Sequence, residues 1–527
     1  MKHIGILLLL AFSLGSCSKF LEEYSRDQKY VQTPEDLNKL MVGEAFIINI
    51  GLSIYSQATM GTLTSEAGIV APWLHVMDDD NEVFVSDFVA TDQLTPLYML
   101  SGFHYWKQNP TMDIRELTWE DILWRKLYKH IGALNAIIFQ ADEMALNNPG
   151  NIENLNRIRG EALFMRAYYY FYLQNIYGSP YRKSTAANDE GIPLKVSEKV
   201  EDIYFKRDNN EAVYQQITSD LEKAAQYLEN YNPTTKLRIG IAAVRLFQTR
   251  VYLYTEQYDK VLEVSQPLQT MGYELVDLNQ YTTGTSFTYR GSPETIFTMG
   301  TNVIPTVFMN DSLSAWSGND NRVSAFKASD NLMNTFDEDD LRRKAFFERA
   351  AKSKAWIPAK YRTWRTFNDV NQQSCIFSLR YTEAILNRAE AMAMMGADNE
   401  ARTELQKLRA KRFQNATIDQ IPQSNTELVN FIREERRREL CFEGHRWFDL
   451  RRYSTNTKYP LPADFTITHP VYTYDAPSNT HTRTGNYVLR SLSQDAAGWQ
   501  VPIPNYAIEF NRGALTNPIR PVRSIQP

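Results

Sequence analysis

Residues 427–452 read ELVNFIREERRRELCFEGHRWFDLRR. Leu428, Phe431, Ile432, Leu440 and Phe442 supply apolar contacts at helical spacing, and Arg433 to Glu439 runs between them as dense alternating charge. Glu435 and Glu439 stand one turn apart on one face, flanked by Arg436 and Arg438. The spacing predicts a helix that closes at Gly444, a residue suited to the left-handed backbone of a helix end, and a second short helix from His445. Trp447, Phe448 and Leu450 of that second helix point inward, while Arg446, Asp449 and Arg452 answer the carboxylates of the first. Four Arg against three Glu across 433–439 nearly cancel, so an ion-pair network between the two helices is expected rather than a nucleic-acid patch.

The totals set outer bounds. A chain of 527 residues exceeds one ordinary domain, but helical repeats lengthen without splitting. A net charge of −5 excludes nucleic acid or an anionic membrane as the main electrostatic partner. With 30 Tyr and 9 Trp the chain carries more rings than a helical core needs, which leaves rings for exposed surfaces such as a sugar-stacking site. Three cysteines, Cys17, Cys375 and Cys441, are no disulfide framework, and spacing does not decide whether Cys375 and Cys441 pair. The seven His are scattered, with no zinc motif, so neither a metal nor a cofactor is expected.

The first residues read as an address. Met1 to His3 is a short positive region, Ile4 to Phe12 an apolar run too short to span a bilayer, and Leu14-Gly15-Ser16-Cys17 a lipobox. Residues 1–16 are therefore expected to be a secretory signal. The lipobox resembles that of bacterial lipoproteins, whose cysteine is acylated, and several acyl chains together make a stable tether.

Further along, Thr33-Pro34-Glu35-Asp36 predicts a capped helix start and a helix to about Ile50. Residues 51–111 then read as irregular backbone rich in rings, with Asp78-Asp79-Asp80-Asn81-Glu82 among them; that run lacks the alternating spacing and the glycine of a calcium loop. Helix pairs are expected at about 116–177, 211–254, 379–413 and 427–452, the small-then-large stacking of Ala242, Ala243, Leu246, Arg250 and Tyr254 being typical of tetratricopeptide helices. The segment 152–177 is apolar almost all round and so should be packed on several sides. Between the second and third pairs, 272–375 is rich in Thr, Ser, Gly and Asn, with short strands expected at 294–299 and near Lys360 to Trp364. The fold class is thus mostly α: about four tetratricopeptide-like helix pairs, interrupted by long irregular insertions at 51–111 and 272–375 and a few short strands.

Several of these stretches share one resemblance. Glu435, Arg436, Glu439, Leu440, Glu443, Gly444, Arg446, Asp449, Leu450 and Arg452 resemble the signature near the C-terminus of the SusD/RagB family, nutrient-binding outer-membrane lipoproteins. The string RGEALFMRAYYYFYLQNIYG at 159–178, Ser18 to Glu23 after the lipobox, and the tail from Trp499 through Asn517-Pro518 resemble that family too. The resemblance implies one domain over 17–527, lipid attachment at Cys17, a place on the outer membrane facing the exterior, and delivery of a nutrient to a SusC-like TonB-dependent transporter. It further implies a ligand site on the irregular half and a partner on the repeat face.

No nucleophile elbow, phosphate loop or zinc-protease motif is present, and binding without catalysis is the expected activity. Sugars offer an apolar C–H face and a hydroxyl edge, so a binder needs flat rings with amides or carboxylates beside them. Trp73, Asp79, Trp106, Tyr289, Trp316 and Asn319 are the candidate contacts, the rings stacking and the polar pair bonding hydroxyls of an oligosaccharide. A peptide-binding RagB-like protein of the same architecture, or a protein-binding repeat scaffold, is the alternative.

Overall fold

The computed structural model describes residues 31–47, 70–83, 95–113, 116–147, 149–299, 304–308, 326–350, 354–361, 373–475, 477–478 and 480–527. Its main helices are α1 (Pro34–Glu44), α2 (Thr95–His104), α3 (Leu123–Asn147), α4 (Ile152–Tyr177), α5 (Asn210–Tyr227), α6 (Ile241–Tyr254), α7 (Tyr258–Ser265), α8 (Tyr381–Met394), α9 (Asp398–Arg409), α10 (Asn425–Leu440), α11 (Arg446–Thr455) and α12 (Asn505–Phe510). The Thr33 hydroxyl caps α1 by accepting the Asp36 amide at 3.2 Å, as the sequence predicts. Helix α3 begins seven residues later than its apolar pattern suggests. Glu116 sits at φ +64°, and Asp113 accepts the Leu117 amide in a reversed turn that leaves Leu117 exposed.

Helix α4 is the axis of the molecule. Every residue from Ile158 to Tyr177 is buried, so its polar tips must find partners away from water. Tyr169, Tyr170 and Tyr172 each donate to a backbone carbonyl at 2.6 Å, those of Ala45, Lys195 and Ile376. Arg166 forks onto Asp220 of α5 at 2.8 and 2.7 Å. Gly160 lets α5 end against α4, since a Cβ there would lie 2.4 Å from Leu228 Cγ. Many of the tyrosines that looked surplus to a core are thus inside it, with their hydroxyls serving as struts.

Around this axis α3 and α5 lie on α4, α6 pairs with α7, and α8 packs on α6, α7, α9 and α10. The short helix α7 follows a three-residue link after α6 in a stretch where no helix was expected; it, more than α5, is the hairpin partner of α6. Gly396, at φ +82°, turns the chain between α8 and α9.

Strands pair two at a time, all antiparallel: β1 (Asn81–Val83) with β3 (Phe326–Ala328), β2 (Thr295–Thr298) with β6 (Ser378–Arg380), β4 (Phe347–Arg349) with β5 (Trp356–Pro358), and β7 (Ile467–Asp475) with β8 (Thr480–Leu489). β2 falls within the predicted 294–299. Of the strand expected from Lys360 to Trp364, Lys360 and Tyr361 form a turn after β5, and residues 362–364 lie outside the described residues. The β7–β8 hairpin is the longest strand pair among the described residues, in a stretch where no strand was expected.

Candidate ligand-binding surface and its anchorage

The carboxylates of α10 are met from further away than α11. Glu435 receives Arg342 at 2.6 Å, Arg409 at 2.8 Å and Arg438 at 2.7 Å. Glu439 receives Arg412 at 2.9 Å and Arg380 at 3.4 Å, and Glu443 receives Arg380 at 2.7 Å and Lys360 at 2.8 Å. Glu294, at the foot of β2, closes the ring by bridging Arg380 and Arg412 at 2.5 and 2.6 Å. Burial alone would raise Glu439, yet Arg412, Arg380 and Arg342 draw it down to about 2. The expected pairing between α10 and α11 exists with the signs reversed: Arg436 of α10 meets Asp449 of α11 at 2.7 Å, and Arg452 then joins Asp449 to Glu390 of α8.

The same two helices hold the ring-rich insertion. Arg446 takes both oxygens of Asp79, at 2.7 and 2.8 Å, and Arg437 takes Asp80 at 2.7 Å. Burial would raise Asp79, but Arg437 and Arg446 hold it well below the usual carboxylate range. Asp79 is therefore a strut, committed to two guanidinium groups, and not the hydroxyl-binding acid expected of it. Among the described residues no group of three or more His, Cys, Asp or Glu is arranged to hold a metal.

Two of the expected stacking rings face inward. Trp73 is fully buried and stacks on Phe103 with centroids 4.7 Å apart. Trp106 is also buried, stacks on His469 at 4.5 Å, and donates its indole N–H to the Met77 carbonyl at 2.9 Å. Irregular backbone here folds its rings under itself, so neither Trp73 nor Trp106 offers a face to a ligand. Cys375 and Cys441 are both buried thiols and are not joined; Cys441 Sγ donates to the Arg438 carbonyl at 3.4 Å.

Tyr289 is half-buried on a loop fixed from below. The amides of Phe287 and Thr288 donate to the Lys360 carbonyl at 2.9 and 3.1 Å. The Lys360 ammonium in turn donates to the Glu439 and Cys441 carbonyls at the end of α10 and to Glu443. Just before Lys360, Trp356 on β5 is half-buried, with the Arg349 guanidinium 3.7 Å and that of Arg343 5.1 Å from its ring centre. Trp356 is not among the candidate contacts; its place among the rings of the 272–375 insertion was the available signal. Trp316 and Asn319, like Cys17, lie outside the described residues.

Comparison with known proteins bears on this arrangement. The model of the SusD family matches residues 344–519, and a model described as "starch-binding associating with outer membrane" matches 68–253; the first takes in α10 and α11, the second the axis helix. The chain belongs to the SusD-like family. SusD-like protein P2 of Formosa agariphila is 25% identical over 378 residues, which are 62% of this chain and 70% of that one. Among solved structures, a SusD superfamily protein of Bacteroides thetaiotaomicron superposes with a TM-score of 0.65 at 20% identity, covering 92% of this chain and all of that one. A putative sugar binding protein of Bacteroides vulgatus superposes with a TM-score of 0.66 at 21% identity, over 93% of this SusD-like chain and 99% of the other. These two likenesses carry the fold: helix pairs with irregular excursions between them. Among the described residues no helix is long and apolar enough to cross a membrane.

Proposed function

We propose that this SusD-like protein captures a glycan at the cell surface and hands it, unaltered, to a SusC-like TonB-dependent transporter. The observation that carries the reading is the anchorage of the Tyr289 loop to the buried Lys360, with the half-buried Trp356 on the short strand just before that lysine. Half-exposed rings on a base that cannot shift lose little freedom on binding, which is what a stacking platform for a sugar requires. Family membership and the sugar-binding description of the Bacteroides vulgatus relative support the same ligand class. In this reading Tyr289, Trp356 and Trp316 stack and Asn319 bonds hydroxyls, while Cys17 carries the lipid that tethers the chain to the outer membrane, facing the exterior. The protein contributes affinity and delivery and no chemistry.

Isothermal titration of the mature protein against a polysaccharide panel tests the site, with Tyr289→Ala and Trp316→Ala as variants. Both substitutions are expected to weaken binding at least about tenfold, in keeping with about 1.5 kcal/mol for a stacked ring. Unchanged affinity in both removes the site assignment. Mass spectrometry of the membrane-extracted protein is expected to find acylated Cys17 at its N-terminus, and copurification is expected to bring down the transporter.

A further inference from the structure

A second concavity shares no residue with the Tyr289 surface. It is a groove of about 580 Å³ between the 103–121 segment and the 501–520 tail, within the size range of small-ligand sites.

Its walls are fixed by bonds that use up their own polar groups. Tyr506 donates to the Asp121 carbonyl at 3.1 Å and accepts the Arg125 amide at 3.2 Å. The Asn517 amide pairs with both backbone groups of Ile503 at 2.8 Å. The two acids on the wall are engaged as well: Glu120 by Arg125 at 2.5 Å, and Asp121 by the Leu123 amide at 3.3 Å and the Tyr177 hydroxyl at 3.1 Å.

Arg520 is the exception. It lines the groove and is buried, only 6% exposed, yet its one hydrogen bond is from Nη1 to the Gln500 carbonyl at 2.5 Å. Its Nε has no partner, and the nearby carboxylate of Asp495 is taken by Arg523 at 2.7 Å. Burial, reinforced by Arg523, pulls Arg520 down to about 10. A buried guanidinium without a carboxylate is costly, and a ligand that brings an anion offsets that cost. Apart from Glu120, which is exposed and paired with Arg125, the rim carries Gln108, Thr118 and Asn505, exposed amides and a hydroxyl suited to a polyol.

We propose that this groove is a second glycan subsite that takes a uronic acid, its carboxylate against Arg520 and its hydroxyls on Gln108, Thr118 and Asn505. The proposal deepens the glycan reading above and rests on it. A carboxylate-ended peptide brings the same anion but would need backbone partners, and the rim supplies side chains instead.

The test is titration of the mature protein with oligogalacturonate and with the same oligomer after its carboxyls are reduced to alcohols. The acidic oligomer is expected to bind at least about tenfold more tightly, because a hydrogen-bonded charge is lost on reduction. Arg520→Gln should erase that preference. Because Arg520→Gln also removes a buried bond, Thr118→Trp serves as a second variant; it fills the exposed rim and should weaken oligogalacturonate by about tenfold with an unchanged melting midpoint. Equal affinity for the two oligomers, or indifference to Thr118→Trp, overturns the subsite. If neutral glycans bind and respond only to Tyr289→Ala and Trp316→Ala, the subsite falls while the proposed function stands; if no glycan binds at all, both fall. Tighter capture of an acidic peptide than of oligogalacturonate, blocked by Thr118→Trp, overturns the assignment to a glycan.

Discussion

Arg446 grips Asp79 through two parallel bonds, Nε to Oδ1 at 2.7 Å and Nη2 to Oδ2 at 2.8 Å, across 367 residues of chain. The contact fastens the first irregular insertion to the start of α11, and Ser329 extends the join by donating its hydroxyl to the Asp79 carbonyl at 2.7 Å. Asp79→Asn is expected to destabilise the fold by about 3–5 kcal/mol, the cost of leaving a buried cation unmatched. Replacing both partners, Asp79→Leu with Arg446→Met, should recover most of that loss. Urea unfolding of the single and double variants measures it. If Asp79 were a ligand contact instead, Asp79→Asn would lower glycan affinity and leave the unfolding midpoint where it was.

The network below α10 predicts a particular acid sensitivity. Glu439 sits at about 2 in the folded chain against an ordinary value of 4.5. Glu435 and Glu443 are lowered as well, with burial opposing the shift and their arginine and lysine neighbours outweighing it. A folded-state value below the unfolded one means that the stabilisation is complete above about pH 5 and is lost as the pH falls toward 2. Glu439→Gln should therefore unfold at lower urea than the parent at neutral pH, by about 3–5 kcal/mol, with the difference shrinking steadily below about pH 4.5. A constant difference across that window would contradict the assignment.

Asp121 is predicted to act in the opposite sense. Burial raises it from 3.8 to about 6, with the Leu123 amide and the Tyr177 hydroxyl only partly offsetting the rise. Its folded value exceeds its unfolded one, so its contribution is present at low pH and is lost as the pH climbs from about 4 to 6. Asp121→Asn keeps an acceptor for both donors and has no charge to bury. It should gain about 2–3 kcal/mol at pH 7 relative to pH 4, read as a rise in thermal midpoint over the parent at neutral pH alone.

Lys360 links the network to the proposed site, and removing its charge should be felt at both ends. Lys360→Met leaves the Glu439 and Cys441 carbonyls without a donor from this side chain and releases Glu443 to Arg380 alone. A loss of about 2–4 kcal/mol is expected, together with faster hydrogen exchange at the Phe287 and Thr288 amides. Exchange at those amides that matches the parent would separate the loop from the network.

Periodicity made the helices legible and stopped short of the contacts between them. α4 was evident because a 26-residue run with apolar groups on all sides has no other stable home, whereas α10 stops at Leu440, short of the expected Gly444, which sits at φ +73° in the turn that follows. The end of α3 was marked by Asn147 and Pro149, while its start was hidden by Leu117, an apolar residue that happens to continue the pattern on an exposed turn. The site was harder. Whether a tryptophan in irregular backbone points out or in depends on what lies beneath it, and for Trp106 that is His469, far along the chain on a hairpin that the pattern did not announce. Asp79 likewise looked free because its arginine partners are more than 350 residues away. Tyr289 is half-exposed on a loop held from below, where the Phe287 and Thr288 amides donate to the Lys360 carbonyl.

The central claim is that a rigid helical frame presents rings to a glycan that leaves unchanged. Its most direct test is titration calorimetry of the mature protein against a panel of neutral and acidic polysaccharides, followed by size analysis of each polymer after incubation. Saturable binding to at least one member, weakened by Tyr289→Ala, with every polymer recovered at its starting length, is the predicted result. No binding to any glycan, or a polymer shortened by the pure protein, would contradict the account.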